Sequence, residues 1–164
     1  MVGYTILRTP DVPRVRQLLF EYMAATQAER GRPVPATIDD LPEVLRDECA
    51  NLAAAYRHPG ALVVARRGDE TVGCVGLQPV QPQGSTEVKR LYVRPDHRGH
   101  GVAAMLMDEA HQLAADHGFS RLVLDVMPER THVIGFYRRL GYTEFEPDPN
   151  PWPFPMVYLQ RPVR

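Results

Sequence analysis

EVKRLYVRPDHRGHGVAA, running from Glu87 to Ala104, is the stretch from which the rest of the chain can be read. Glu87 to Val93 is rich in β-branched and aromatic side chains and predicts a strand. Arg94 to Arg98 forms a charged turn, and Gly99 and Gly101 then stand at the mouth of a helix. That helix is predicted to run to about His117, because Val102, Met105, Leu106, Ala110, Leu113 and Ala114 recur at helical spacing and Gly118 stops it. A strand that feeds a glycine-rich helix N-terminus is a place to hold an anion. The first-turn N–H groups lack carbonyl partners and the helix dipole adds roughly half a positive charge. Glycine lets a phosphate approach the backbone with no Cβ in the way. Arg98 and His100 flank the turn and can add side-chain donors.

Three phosphate-loop patterns contain glycines of this kind. The GxxxxGK[ST] loop requires a lysine that this sequence lacks at the turn. A dinucleotide-binding fingerprint fits in part: Gly99, Gly101 and Ala104 spell GxGxxA, and Asp125 closes the next apolar strand about 20 residues on. Against it, the five residues RPDHR separate the strand from the first glycine, and about 80 residues precede a unit that ordinarily begins its domain. The third pattern, [RQ]xxGx[GA] after a strand, is filled by Arg98, Gly101 and Ala103.

With its flanking strand and helix, this run resembles the coenzyme A loop of the GNAT superfamily of N-acetyltransferases. The resemblance implies acetyl-CoA as cosubstrate, its pyrophosphate held by the turn from Arg98 through Gly99, His100, Gly101, Val102, Ala103 and Ala104. It also implies a pantetheine arm lying along the strand at Leu91, Tyr92 and Val93. Together with LVLDVMPE and a proline-rich end, the run is similar to a bacterial-type branch of the superfamily whose acceptors are mostly unassigned.

The chain has 164 residues, enough for one good core, so a single domain over residues 1–164 is expected. A net charge of −1 gives none of the basic footprint of a nucleic-acid binder. No run approaches the ~18 apolar residues of a transmembrane helix and the N-terminus lacks an apolar signal core, so no membrane partner is expected and the location is read as cytoplasmic. Cys49 and Cys74 have no metal-ligand spacing and read as buried free thiols in a reducing compartment. His58, His97, His100, His111, His117 and His132 are scattered, with no i, i+4 pair beside a carboxylate, so no metal is expected.

Tyr4 to Leu7 reads as a first strand. Asp11 can cap the helix after it, in which Val15, Leu18, Leu19, Tyr22 and Met23 make an apolar face. Asp39 or Asp40 opens a second helix, where Leu41, Val44, Leu45, Cys49, Leu52 and Tyr56 keep helical spacing until His58-Pro59-Gly60. The resemblance lays this helical pair over the acceptor side of a cleft and makes Glu21, Tyr22 and the loop from Arg30 to Thr37 candidates for shaping an amine site. Ala61 to Arg66 and Thr71 to Val80 are strands around the turn RGDE, and Gln81 to Ser85 turns the chain into the central strand. Strands joined by such short turns pair antiparallel, whereas Arg121 to Val126, reached through a helix, must run parallel to the central strand. The expected fold is therefore α/β (α+β), a mixed central sheet of about six to seven strands with helices on both faces. A gap between the two parallel strands is implied by the resemblance alone.

Downstream, THVIGFYRRLGY predicts a short helix with Val133, Phe136, Tyr137 and Leu140 on its apolar face and Gly141 at its end, after which Tyr142 starts a strand. It is similar to the second GNAT signature: Tyr137 and Gly141-Tyr142 match, while Arg130 and Val133 stand where Asn and Ala are usual. EPDPNPWPFP is a proline-rich loop before a last strand, Met156 to Gln160, and reads as a lid or cleft edge.

Acyl transfer to an amine needs a neutral nitrogen, a positioned carbonyl and a proton for the leaving thiolate. The resemblance gives Tyr137 the last role; spacing alone makes it a core aromatic. Glu87 falls where several family members carry a general base, and it reads equally as a strand-end acid paired with Lys89 or Arg90. Strict alternation puts Glu87, Lys89, Leu91 and Val93 on one face and Val88, Arg90 and Tyr92 on the other, without saying which meets the cleft. The function expected is acetyl-CoA-dependent transfer to a primary amine of a small molecule or peptide in a ternary complex, by a chain that could form a homodimer. The alternatives are a non-catalytic acyl-CoA-binding module and a dinucleotide-binding protein.

Overall fold

Residues 3–8 and 12–164 are described by the computed structural model, so the cap expected at Asp11 lies outside the described residues. In chain order the elements are β1 (Tyr4–Leu7), α1 (Val12–Glu29), α2 (Glu43–Ala50), α3 (Leu52–Ala55), β2 (Ala61–Arg67), β3 (Glu70–Val80) and β4 (Ser85–Val93). They continue with α4 (Val102–Asp116), β5 (Arg121–Val126), α5 (Thr131–Arg139), β6 (Thr143–Glu144) and β7 (Val157–Pro162). The strands form one seven-stranded sheet in the order β1-β2-β3-β4-β5-β7-β6. Among the described residues, only β4 and β5 pair in parallel, and β7 inserts between β5 and β6.

The sheet separates two apolar layers. Val15, Leu18, Leu19 and Met23 of α1 pack with Cys49 and Leu52 against Leu62, Val64 and Cys74 on one face. On the other, α4 lays Val102, Leu106, Met107, Ala110 and Leu113 over Val63, Val75, Leu77, Val88 and Leu122. Each fully buried leucine there contributes roughly 1.5–3 kcal/mol of apolar burial. Gly76 is required where it stands, since a Cβ would lie 2.4 Å from the Tyr56 ring carbon that fills the space above it.

Two stretches depart from periodicity. The second helix is broken: a 3-10 turn at Ile38–Asp40 precedes α2, and Asn51 separates α2 from α3. Asp40 does not open a long helix but accepts the N–H groups of Thr37 (2.9 Å) and Ala36 (3.1 Å), and Pro42, in extended geometry, restarts the chain. In consequence Val44 is 77% exposed, while Leu41, Cys49, Leu52 and Tyr56 are buried as expected. In α5 the buried positions are Ile134 and Tyr137, with Val133, Phe136 and Leu140 only half-buried along its flank. The end of α5 closes as read: Gly141 takes φ +91°, and the Tyr142 N–H returns to the Tyr137 carbonyl at 3.1 Å.

Candidate active site

The parallel ladder between β4 and β5 lasts only from Ser85↔Arg121 to Glu87↔Val123. Beyond it both strands continue without pairing to each other, and a cavity of about 450 Å³ occupies the wedge. Just past the end of that ladder, β4 carries a bulge against its other neighbour, β3. Lys89 faces Gly76 and Tyr92 faces Cys74, so Arg90 and Leu91 together oppose Val75. Arg90 is the extra residue of this bulge and adopts φ +60°, a backbone state that costs a side-chain-bearing residue about 1–2 kcal/mol. It is held there by a bidentate ion pair from Nε and Nη2 to Glu48 on α2, at 2.9 and 3.1 Å. The bulge also overturns the strict alternation expected of this strand. Val88, Leu91 and Val93 face the α4 layer, whereas Tyr92 packs with the α1 layer, so Glu87 and Lys89 share a face with Tyr92 rather than with Leu91 and Val93.

At the wide end of the wedge stands the N-terminus of α4. Gly99 and Gly101 have φ +79° and +76°, and a Cβ at either would meet nothing within 4 Å, so both glycines serve the backbone conformation. Among the described residues, no amide from Gly99 to Ala104 donates to a backbone carbonyl. That row of unused donors, with the positive end of a fifteen-residue helix behind it, suits the pyrophosphate of a coenzyme A derivative. Arg98 and Ala103 line the cavity with Leu91, Tyr92 and Val93. Arg98 folds back over the Tyr92 ring, its Nε donating to the Val93 carbonyl at 2.8 Å. Val102 commits its side chain to the core, so only its amide is available; Gly99, His100 and Gly101 are exposed at the rim, and Ala104 is half-buried behind it.

Tyr137 and Glu87, distant in sequence, line this one cavity. Tyr137 is 5% exposed, and burial, with Tyr22 nearby, raises its pKa above that of an ordinary phenol, so it holds its proton at neutral pH. Glu87 is half-buried, and desolvation raises its pKa as well. Lys89, whose Nζ lies 4.0 Å from it, works against that shift, and Asp125 adds to it. Arg90 is committed to Glu48, so the pairing with Glu87 contemplated from the sequence does not form. Of the residues expected to shape the amine site, Tyr22 lines the cavity, but Glu21 is engaged by Arg94 at 2.9 and 3.0 Å, and no residue from Arg30 to Thr37 reaches the wall. Arg130 and Val133, the departures from the second signature, both line it.

Sequence reasoning missed a second cavity of about 690 Å³ on the α1 face of β5 and β7, roofed by the proline-rich loop. Trp152 in that loop donates its indole N–H to Asp125 at 2.8 Å. The only sequence signal was the tryptophan among prolines, which marked a cleft edge without showing what it bordered.

Of the histidines, His132 lines the wedge cavity and His100 stands at its rim, while the others lie elsewhere. His97 is buried against Tyr4, His58 and His117 meet edge to face with centroids 4.5 Å apart, and among the described residues no cluster could hold a metal ion. Among the described residues, no helix is long and apolar enough to cross a membrane. The sheet, antiparallel except at β4 and β5, is not the doubly wound parallel sheet of a dinucleotide fold, and Asp125 is held by Trp152.

A mixed sheet opened between two parallel strands, with unused amides at the mouth of the gap, defines an acyl-coenzyme A transferase scaffold. The chain belongs to the acetyltransferase (GNAT) family, whose family model matches residues 16–142. It is 30% identical over 135 residues to the peptidyl-lysine N-acetyltransferase YjaB of Salmonella typhimurium, covering 80% of this chain and 86% of that protein. An uncharacterized N-acetyltransferase of Schizosaccharomyces pombe is 37% identical over 103 residues, 62% of this chain and 63% of its own. The chain thus spans less than two thirds of that relative, and about half the length of the mammalian N-acetyltransferase 8 proteins it also matches. In three dimensions it is similar to YncA of Salmonella typhimurium, a putative acetyltransferase solved with its cofactor acetyl-CoA. That similarity has a TM-score of 0.72 at 16% identity, covering 98% of this chain and 94% of the other, and bears on the fold alone.

Proposed function

We propose that the protein is an acetyl-CoA-dependent N-acetyltransferase that transfers directly to a primary amine while both substrates are bound. The observation that carries this reading is the wedge between β4 and β5, with unused α4 amides at one end and Glu87 and Tyr137 in its walls. Acetyl-CoA supplies an acyl group already activated as a thioester. The amides from Gly99 to Ala104 would hold its pyrophosphate, and the β4 edge from Leu91 to Val93, left without a strand partner, would align its arm.

The remaining chemistry is proton handling. Glu87 Oε takes a proton from the amine, directly or through water, so that a nitrogen lone pair is free to form the new N–C bond. Tyr137 keeps its Oη proton through burial, gives it to sulfur as the C–S bond breaks, and recovers one from the nitrogen, which sheds its surplus N–H proton on becoming an amide, while the proton on Glu87 passes to solvent. The balance is an amide and a free thiol. A covalent acyl-enzyme is disfavoured because both cysteines are buried and protonated: burial raises the thiol of Cys49 and pushes Cys74 up to about 12. Neither of them lines the cavity.

Calorimetry with acetyl-CoA tests the first half of the reading, and absence of binding by the folded protein rejects it. Thiol release over an amine panel tests the second half. Binding without release on any amine would leave an acyl-CoA-binding module in its place.

A further inference from the structure

Resting on the acetyltransferase reading, we propose that the cavity beneath loop 145–156 is the acceptor site and that the acceptor is a small primary amine carried on an aryl body. At about 690 Å³ the cavity falls within the ~300–1,000 Å³ range of small-molecule sites. It shares Glu87, Lys89, Leu124 and Asp125 with the wedge cavity, so its inner end is the wall where a nitrogen would meet Glu87.

The remainder of the lining is of a different character. Phe145, Trp152 and Tyr158 line it with Pro82, Pro149 and Pro151. Trp152 and Tyr158 are tied down before any ligand arrives. Trp152 donates its indole N–H to Asp125 (2.8 Å) and its backbone N–H to Asn150 Oδ1 (3.0 Å), while the Tyr158 hydroxyl donates to the same Asn150 oxygen at 2.5 Å. A preset aromatic and proline wall favours a planar apolar body and offers an amino sugar few partners for its hydroxyls.

Charge selects the head group. Glu87, Asp125, Glu146 and Asp148 line the cavity against two cations, Lys89 and Arg121. Arg121 is already engaged, donating to Ser85 Oγ (2.8 Å) and Gln160 Oε1 (2.6 Å), and Lys89 lies 4.0 Å from Glu87. Among the described residues, Glu146 and Asp148 form no ion pair. The surplus of negative charge draws in an ammonium and repels a carboxylate.

Trp152 is the chain's one tryptophan, so its emission reports occupancy without any need for turnover. The full chain, saturated with coenzyme A, is titrated with 2-phenylethylamine, 3-phenylpropionate and n-butylamine. Thiol release from acetyl-CoA is then followed with each amine. Expected is saturation by 2-phenylethylamine at least tenfold tighter than by the other two, with acetylation of the bound amine. Glu146→Gln with Asp148→Asn should raise its Kd roughly threefold to tenfold. Equal binding of the carboxylate or of butylamine overturns the proposal, and so does phenylethylamine that is bound but not acetylated by a protein that binds acetyl-CoA. Failure to bind acetyl-CoA in calorimetry defeats the acetyltransferase reading instead, and Trp152 emission still decides whether the cavity selects an aryl amine.

Discussion

Arg90 and Glu48 meet in a bidentate ion pair that holds an arginine at φ +60° in the middle of the central strand. Removing the arginine would leave the Glu48 carboxylate largely buried without a partner, a loss on the order of 3 kcal/mol. Arg90→Ala keeps the backbone strain, whereas Arg90→Gly relieves about 1–2 kcal/mol of it. Glycine should therefore be the less destabilising replacement, reversing the usual order inside a strand, as read from urea unfolding. If alanine proves the milder change, the left-handed backbone at position 90 relaxes once the pair to Glu48 is gone.

Glu87→Gln separates catalysis from stability. As general base, Glu87 should supply a factor of about 10² to 10⁴, and wild-type activity should rise with pH through a pKa above the ordinary glutamate range. In folding the same shift has the opposite sign. A carboxyl whose folded pKa is raised gives its full stability below the unfolded value near ~4.3 and loses it as pH rises through the folded value. Glu87→Gln should thus remove the fall in stability across that window while lowering turnover. Unfolding curves and rate profiles on the same samples check both halves.

Tyr137→Phe keeps the ring that packs at 5.3 Å against Tyr142 and removes only the hydroxyl. A thiolate is a good leaving group, so the expected loss in kcat is roughly tenfold to a hundredfold, at the low end of acid catalysis. Affinity for acetyl-CoA measured by calorimetry should stay within about twofold. Unchanged turnover would return Tyr137 to the core.

Gly101→Ala meets no steric obstacle, since nothing lies within 4 Å of the added Cβ, yet φ +76° penalises any side chain. The expected cost is about 1 kcal/mol in stability. Because the residue caps α4 in the left-handed region, relaxation of that strain re-aims the free amides. Acetyl-CoA affinity should fall more than stability does. Thermal shift with and without cofactor measures both.

What the sequence by itself determined is what neighbours along the chain decide. The strand from Glu87 to Val93, the glycine turn, the helix behind it and the Gly141 cap of α5 each depend on residues a few positions apart, so propensity and turn chemistry read them directly. Tertiary structure decided the rest. The bulge at Arg90 depends on Glu48 in another helix, and the exposure of Val44 follows from a break at Pro42 that helical spacing cannot register. The opening between β4 and β5, the approach of Tyr137 to Glu87 and the anchoring of Trp152 on Asp125 join segments from 27 to 50 positions apart. Such contacts are selected by burial and charge pairing across the folded sheet. Local periodicity carries no record of them, because it sees only the residue and its near neighbours.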